Sequence, residues 1–110
     1  MNGVVHWDLK LENILLTGGS LLKLADFGLS SILKEGKFLK SMRGTIRYAD
    51  PEILKNKEYS GEIADIWALG IILYCLTCGD LPFEDDVFGI LYKKVVKCDI
   101  KIPEYVSDDL

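Results

Sequence analysis

The fold of this chain is decided by two stretches, His6-Trp7-Asp8-Leu9-Lys10-Leu11-Glu12-Asn13 and Asp26-Phe27-Gly28. Between them, two apolar runs flank a turn cluster at 17–20, which predicts a β-hairpin. Residues equidistant from a hairpin turn face each other across the two strands. With the turn centred between Gly19 and Ser20, Asn13 and Asp26 are predicted to lie side by side at the open end.

These side chains have the chemistry of a phosphate-transfer site. A carboxamide oxygen and a carboxylate are hard ligands that Mg²⁺ accepts beside substrate phosphates. Asp8 lies on the loop that leads into the same end of the hairpin, where it can take a proton from an attacking hydroxyl. Lys10, between Asp8 and Asn13, can neutralise charge on a transferred phosphoryl group.

Each piece of this pattern has a simpler interpretation when taken alone. The apolar and charged alternation over 7–12 is also typical of a half-buried strand, and the tripeptide at 26–28 has no diagnostic weight by itself. Cys75 and Cys78 form a C-x-x-C pair, but a second ligand pair for zinc is missing from the sequence. The interpretation that we favour for Cys75 and Cys78 is two thiols packed inside a buried helix. Only the ordered set of motifs indicates a function.

The rest of the chain is predicted to be mainly helical. Residues 28–48 have no clean period and predict a long loop, and Pro51 is suited to begin a short helix. A helix over about 62–78 is apolar on nearly every face, which is typical of the centre of a larger domain. Gly79 is its predicted C-terminal cap. A second, amphipathic helix is predicted over about 86–97.

The composition argues against several classes of partner. A formal net charge of −4 disfavours nucleic-acid binding, which requires a basic field. The longest apolar stretch, residues 66–78, is too short to span a bilayer, and residues 1–11 do not resemble a signal peptide. Three cysteines, an odd number, favour a reducing compartment. We therefore expect an intracellular protein, cytoplasmic or nuclear or both, that binds neither nucleic acid nor membrane.

The motifs resemble, in order and in register, those of eukaryotic-type serine/threonine protein kinases. Residues 37–41 and 81–86 are most similar to the AMP-activated and sucrose-nonfermenting kinases. The matching segments are, in chain order, the catalytic loop (6–13), the D-F-G metal-binding loop (26–28), the activation segment (26–52), the start of the central helix (65–70) and the loop that follows it (79–83).

This resemblance implies a role for each matched residue. Asp8 would be the catalytic base, and Lys10 would contact the phosphate. Thr45 would bond both of them and help to seat the substrate serine or threonine. Asn13 and Asp26 would hold two magnesium ions and, with Lys10, bind ATP. Lysine at position 10, together with the Gly-Thr pair that ends at 45, implies serine/threonine rather than tyrosine specificity.

Other matched residues would support or regulate this site. His6, Glu52 and Asp65 would have structural roles, with Asp65 bracing the catalytic loop from the central helix. Ser41 lies where an upstream kinase phosphorylates the activation segment, and the basic residues around it suit a phosphate. The alternative for Ser41 is an unmodified serine in a solvated basic loop.

The sequence departs from the family pattern in three ways. Trp7 stands where most such kinases have the arginine that pairs with the activation-loop phosphate. Asp50 replaces a small residue before Pro51 and places a charge in a turn that is usually packed. No G-x-G-x-x-G motif occurs in the sequence, so the ATP-gripping elements of the family are not recognisable here.

The resemblance implies an α+β fold: the mainly helical large, C-terminal lobe of a kinase domain with a small β-hairpin, incomplete at both ends, over residues 1–110. The function implied is transfer of the ATP γ-phosphate to serine or threonine of protein substrates. This chain alone is expected to be inactive without the missing N-terminal lobe or a partner chain. The alternative is a non-catalytic truncated kinase or a pseudokinase-like binding module.

Overall fold

The computed structural model describes residues 3–33 and 44–110. Ser41, the predicted phosphosite, lies outside the described residues. Two short 3₁₀ turns, Leu11–Asn13 and Ile46–Tyr48, join the longer elements. The strands and α-helices of the described ranges are β1 (Gly3–Val5), β2 (Ile14–Leu16), β3 (Leu22–Leu24), β4 (Ser31–Leu33), α1 (Pro51–Leu54), α2 (Gly61–Cys78) and α3 (Phe88–Lys97).

β2 and β3 form the predicted hairpin, but its register differs from the prediction by one residue. Ile14 pairs with Leu24, so the turn is centred on Gly19. Ser20 has a positive φ of 60°, and its N–H donates to the carbonyl of Thr17 at 3.0 Å. A three-residue loop that ends in a left-handed residue is a common hairpin connection.

The shifted register changes the partners at the open end of the hairpin. The carbonyl of Asn13 accepts a 2.9 Å hydrogen bond from the N–H of Ala25. Asp26 therefore lies one residue beyond the paired strands and has a positive φ of 58°. The predicted face-to-face pairing of Asn13 with Asp26 is wrong, because the turn contains one residue fewer than the prediction assumed.

β1 and β4 form a second two-stranded sheet that the sequence does not predict. Val4 pairs with Ile32 and Val5 with Ser31, in antiparallel orientation. The long loop predicted over 28–48 is therefore wrong for its first part. Strands of three residues with a partner far away in the sequence have no local period by which they could be recognised.

The stretch at 6–13 is not the half-buried strand that its alternation allows, because residues 6–10 have no regular secondary structure and Leu11–Asn13 form a 3₁₀ turn. Trp7 and Leu9 are both buried, but they belong to different hydrophobic clusters. The first cluster surrounds α2 and α3 and contains Leu9, Tyr48, Ala68, Ile71, Ile72, Cys75, Phe83, Leu91 and Val95. The second lies beside β1 and α1 and contains Val5, Trp7, Ala49, Ile53, Tyr59 and Ala64. The two neighbours of Asp8 in the sequence are thus each buried, Trp7 in the second cluster and Leu9 in the first.

α2 lies over the stretch for which the sequence predicts an apolar central helix. Gly79 ends it with a left-handed φ of 84°, and the Gly79 N–H donates to the carbonyl of Cys75. One side of the helix is buried. Its opposite side exposes five large apolar residues, Ile63, Ile66, Leu69, Leu73 and Leu76.

By length and composition, α2 could also cross a membrane, since its 18 residues have a mean hydropathy of 1.5. The stretch judged too short in the sequence begins at Ile66, whereas the helix begins at Gly61. The core helix of a soluble domain has the same length and composition. Here a third of α2 is buried, and the helix packs against β1 and the turn at 46–48.

α3 begins two residues later than the sequence predicts. Asp85 precedes it, and its Oδ1 accepts from the N–H of Val87 at 3.0 Å while its Oδ2 lies 3.0 Å from Lys94 Nζ. The backbone hydrogen bond from Val87, with that from Lys94, lowers the pKa of Asp85 below its ordinary value. Leu91 and Val95 pack α3 onto the first cluster.

Candidate active site

Three side chains from two distant parts of the chain meet at the centre of the site. The Thr45 hydroxyl donates to Oδ1 of Asp8 at 2.8 Å. Lys10 Nζ donates to the same hydroxyl at 3.3 Å and lies 3.5 Å from Asp8 Oδ2. The side chains of Asp8 and Lys10 are 12% and 25% exposed, so the site is recessed but open to a reactant. A carboxylate, an ammonium and a hydroxyl are thereby held in one small triangle.

Gly44 allows the segment at 44–45 to approach the catalytic loop this closely. Its φ is +82°, a conformation that favours glycine. A Cβ at this position would collide with the backbone carbonyl of Trp7 and would come within 3.7 Å of Asp8 Oδ1. Any larger residue would therefore push Thr45 away from Asp8.

Asn13 ties the catalytic loop to the hairpin. Its side chain is buried, and Nδ2 donates to the backbone carbonyl of Asp8 at 2.8 Å. Its own carbonyl accepts from Ala25, at the end of β3. The carboxamide oxygen is then the atom of Asn13 that a hard cation would take.

The carboxylate of Asp65, in the second turn of α2, accepts hydrogen bonds from the backbone of the catalytic loop. Its Oδ2 accepts from the N–H of His6 at 2.7 Å, and its Oδ1 accepts from the N–H of Trp7 at 3.0 Å. One carboxylate thus satisfies two successive amides on a strained loop, in which Trp7 has a φ of +70°. This contact fixes the backbone immediately before Asp8.

His6 connects the catalytic loop to the segment that contains Asp26. Its Nδ1 accepts from the N–H of Asp8 at 3.2 Å, and its Nε2 lies 2.9 Å from the carbonyl of Ala25. This arrangement requires the tautomer that is protonated on Nε2. The ring also packs edge-on against Phe27 at 4.7 Å. His6 is therefore a buried structural residue that contacts the Asp26 loop on both sides.

Asp26 is more exposed than the other predicted site residues that the structure describes. Its Oδ1 accepts from the N–H of Gly28 at 3.2 Å, within its own loop. Its neighbour Phe27 is 50% exposed. The hairpin brings Asp26 to the same end as Asn13, while its carboxylate is turned into the loop at 26–28.

Tyr48 holds the end of the activation-segment region beneath the catalytic loop. It is buried in the first cluster with Leu9. Burial raises the pKa of the Tyr48 hydroxyl, and a hydrogen bond with the backbone of Leu11 opposes that rise. The segment that carries Thr45 is thus anchored three residues further on.

Asp50 has a role that the sequence does not reveal. It is buried, and its Oδ1 accepts from the N–H groups of Glu52 and Ile53 at 2.7 and 2.9 Å, which makes it the N-cap of α1. Its Oδ2 is buried without a hydrogen-bond partner among the residues that the structure describes. Asp50 departs from the family pattern, and its carboxylate caps α1.

Glu52 lies on the surface of α1 and pairs with two lysines. Its Oε1 is 3.5 Å from Lys55 Nζ and its Oε2 is 4.0 Å from Lys57 Nζ, and the side chain is 46% exposed. Arg47 pairs with Glu84 at 2.8 Å. Exposed pairs of this kind contribute little to stability.

The sequence interpretation missed two residues that contact the site, Ser31 and Tyr59. Trp7 Nε1 donates to Ser31 Oγ at 2.7 Å, and the indole packs edge-on against Tyr59 at 5.7 Å. Neither residue belongs to a motif, and a contact between β4 and the catalytic loop has no signal in local sequence.

The donor set suits a metal that shares its ligands with phosphate. Within residues 3–33 and 44–110, no three His, Cys, Asp or Glu side chains are grouped closely enough to hold a metal by themselves. Asn13, whose side chain bonds the backbone of Asp8, and Asp26, at the same end of the hairpin, each supply a hard oxygen. Mg²⁺ is usually bound by one or two such groups together with substrate phosphates, so the residues present fit it.

Comparison with known proteins gives close relatives for nearly the whole chain. The carbon catabolite-derepressing protein kinase of Secale cereale is 48% identical over 107 residues, which are 97% of this chain and 21% of the relative. The protein of the same name in Candida tropicalis is 45% identical over 104 residues, 94% of this chain and 17% of the relative. The serine/threonine protein kinase OSK3 of Oryza sativa subsp. indica is 46% identical over 106 residues, 96% of this chain and 21% of the relative.

This chain therefore spans about a fifth of the length of these curated relatives. The family model for the protein kinase domain matches residues 1–109. The resemblance predicted from the motifs is confirmed, and the fold is part of the protein kinase fold, with small β-sheets and a few helices. The chain belongs to the protein kinase family.

Proposed function

We propose that this chain is the catalytic segment of a serine/threonine protein kinase, which transfers the γ-phosphate of ATP to serine or threonine of protein substrates. The observation that carries the proposal is the triangle of Asp8, Lys10 and Thr45. A hydroxyl bound there would meet a carboxylate that accepts its proton and an ammonium that neutralises the phosphoryl group.

The chemistry follows from these positions. As the substrate oxygen bonds to the γ-phosphorus, its proton passes to Asp8, and the bond from the γ-phosphorus to the bridging oxygen breaks to release ADP. Lys10 stabilises the charge on the transferred group. Thr45 holds the Asp8 carboxylate in one orientation. Mg²⁺, which Asn13 and Asp26 would hold together with ATP oxygens, supplies charge neutralisation when bound.

The segment is assigned to the large, C-terminal lobe of the kinase domain. In this assignment residues 6–13 are the catalytic loop, 26–28 the metal-binding loop and 26–52 the activation segment. The ATP-gripping lobe would come from elsewhere in the same protein or from a partner chain. Ser41 would be a target of an upstream kinase, and the protein would be intracellular, cytoplasmic or nuclear or both.

A phosphorylation assay with the protein at its natural length, expressed from its complete gene, tests the proposal. We expect label from γ-labelled ATP on serine or threonine of a mixed peptide library, with no label on tyrosine and none when Mg²⁺ is removed by EDTA. Label on tyrosine would contradict the specificity assigned to Lys10 and Thr45. No label on any peptide, with ATP bound, would contradict the catalytic assignment.

The second candidate, a non-catalytic binding module, is favoured by the exposed apolar surface. The exposed side of α2, with Ile63, Ile66, Leu69, Leu73 and Leu76, and the exposed leucines of the hairpin, Leu15, Leu16 and Leu22, form apolar surface of the kind that a partner covers. A chimera in which this chain replaces the aligned 107 residues of the Secale cereale relative separates the two candidates. An active chimera beside an inactive natural-length protein would favour the binding module. A natural-length protein that Mg·ATP stabilises against heat and that phosphorylates peptides would exclude it.

A further inference from the structure

The side chain of Trp7 is buried between the catalytic loop, to which it belongs, and the elements that pack against that loop. Its side chain is 5% exposed, and its indole N–H donates to Ser31 Oγ at 2.7 Å. Its backbone N–H donates to Asp65 Oδ1 at 3.0 Å. The residue is therefore held at both its backbone and its ring, and it directly precedes Asp8.

Gly61 makes room for the indole at the first turn of α2. A Cβ on Gly61 would lie 2.5 Å from Cη2 and 2.7 Å from Cζ2 of Trp7, and 2.9 Å from Cγ1 of Val5. Distances below 3.0 Å require something to move, and a buried ring has little freedom to do so. The edge of the indole fits against Gly61 because no side chain is present there.

The hydrogen bond between Trp7 and Ser31 joins the catalytic loop to β4. In the family pattern, an arginine at position 7 joins the catalytic loop to the activation segment through a phosphate. Ser31 lies on β4, which follows the D-F-G loop, and β4 pairs with β1 just before the catalytic loop. An arginine at position 7 would reach a phosphate through its charge. The indole is neutral, and the N–H that it can donate is bound by Ser31.

We propose that Trp7 is a positioning residue for Asp8, and that the Trp7–Ser31 hydrogen bond holds the catalytic loop to β4 without a phosphate on the activation segment. This inference rests on the proposed function. If the bond acts in this way, its loss lets Trp7 shift in its site and moves Asp8 relative to Thr45. Either partner of the bond should then be equally important for phosphate transfer.

A double-mutant cycle in the natural-length protein, treated with a phosphatase, tests this. The variants are Trp7→Phe, which keeps a ring but lacks the donor, Ser31→Ala, and the two combined. Ser60→Ala is the matched control, because it removes a serine hydroxyl whose hydrogen-bond partner is Glu62 and not the indole. We expect each single variant to lower kcat about fivefold, the effect of one buried hydrogen bond, with the KM for ATP unchanged. The double variant should lower kcat no further, and the control should match the wild type.

The indole itself gives a second measurement that does not depend on activity. In protein labelled with ¹⁵N-tryptophan, the Trp7 Nε1–H signal is the one that Trp7→Phe removes. We expect its hydrogen exchange to be at least about tenfold faster in Ser31→Ala and unchanged in Ser60→Ala.

The outcomes separate this inference from the proposed function. A phosphatase-treated wild type that is active, with single variants that match it or a double variant whose losses multiply, would overturn the inference alone. Activity that disappears with phosphatase treatment would also overturn it, because a phosphate is then required. A wild type with no kinase activity before or after treatment would contradict the proposed function and the positioning role with it.

Discussion

The Thr45 hydroxyl donates a 2.8 Å hydrogen bond to Asp8, although the two residues are 37 positions apart. The segment that contains Thr45 can reach the catalytic loop because Gly44 places no side chain against the Trp7 carbonyl. The orientation of the proposed base therefore depends on how the segment after residue 43 folds. This dependence makes the Thr45–Asp8 bond a direct target for mutation.

Removing the Thr45 hydroxyl should slow phosphate transfer. A hydrogen bond to a charged group contributes about 1.5–3 kcal/mol, so we expect Thr45→Ala to lower kcat at least about tenfold. Thr45→Ser keeps the hydroxyl and should stay within about threefold of the wild type. Steady-state rates on a peptide substrate, with the natural-length protein, measure both variants. Equal losses in the two variants would show that the methyl group matters rather than the hydrogen bond.

Alanine substitutions at two glycines of α2 should change stability in opposite directions. Gly61→Ala forces a methyl group into the indole and should lower the free energy of unfolding by about 1–3 kcal/mol. Gly70→Ala meets no atom within 4 Å and should raise it by up to about 1 kcal/mol, because alanine favours the helix. Urea unfolding of the natural-length protein, followed by circular dichroism, measures both values. A Gly61→Ala variant as stable as the wild type would contradict the tight fit between Trp7 and Gly61.

The cysteines should react with iodoacetamide in an order set by their burial. Cys98 is exposed, Cys78 is half-buried and Cys75 is buried. Burial also raises the pKa of the Cys75 thiol above its ordinary value of 9.0, so little thiolate is present near neutral pH. We expect Cys98 to be alkylated first and Cys75 last in the natural-length protein at pH 8, as read by peptide mass spectrometry. In urea the three rates should become similar. Fast alkylation of Cys75 in the folded protein would contradict its place in the core.

The 110-residue chain should fold poorly by itself. Ile63, Ile66, Leu69, Leu73 and Leu76 leave one side of α2 exposed, and an apolar patch of this kind requires a partner or promotes aggregation. We expect a broad thermal transition and oligomers by light scattering for the isolated chain. A sharp, cooperative transition of a monomer would show that the exposed side of α2 needs no cover.

Features that depend on local sequence patterns were predicted correctly. The apolar run around Ala68 is long enough to place α2, and Gly79 marks its end. The ordered set of motifs, from the stretch around Asp8 to the loop at 79–83, was sufficient to identify the kinase family. Each of these motifs is a short run of residues that are neighbours in the sequence.

Features that depend on distant contacts were missed. The register of the hairpin depends on the left-handed conformation of Ser20. Nothing in the composition of the turn required that conformation. β4 exists because β1 lies beside it, and neither strand is long enough to show a period. Asp50 looked like a misplaced charge, because its use as a helix cap depends on the positions of the two amides that follow Pro51.

The central claim is that Asp8 is the base of a phosphate-transfer site, and the rate of the Asp8→Asn variant tests it most directly. Asparagine has the same shape and can still accept the hydrogen bond from Thr45, but it cannot take the proton. In the natural-length protein we expect kcat to fall at least about 100-fold with the thermal midpoint unchanged. A variant that folds normally and retains a rate within about threefold of the wild type would contradict the claim.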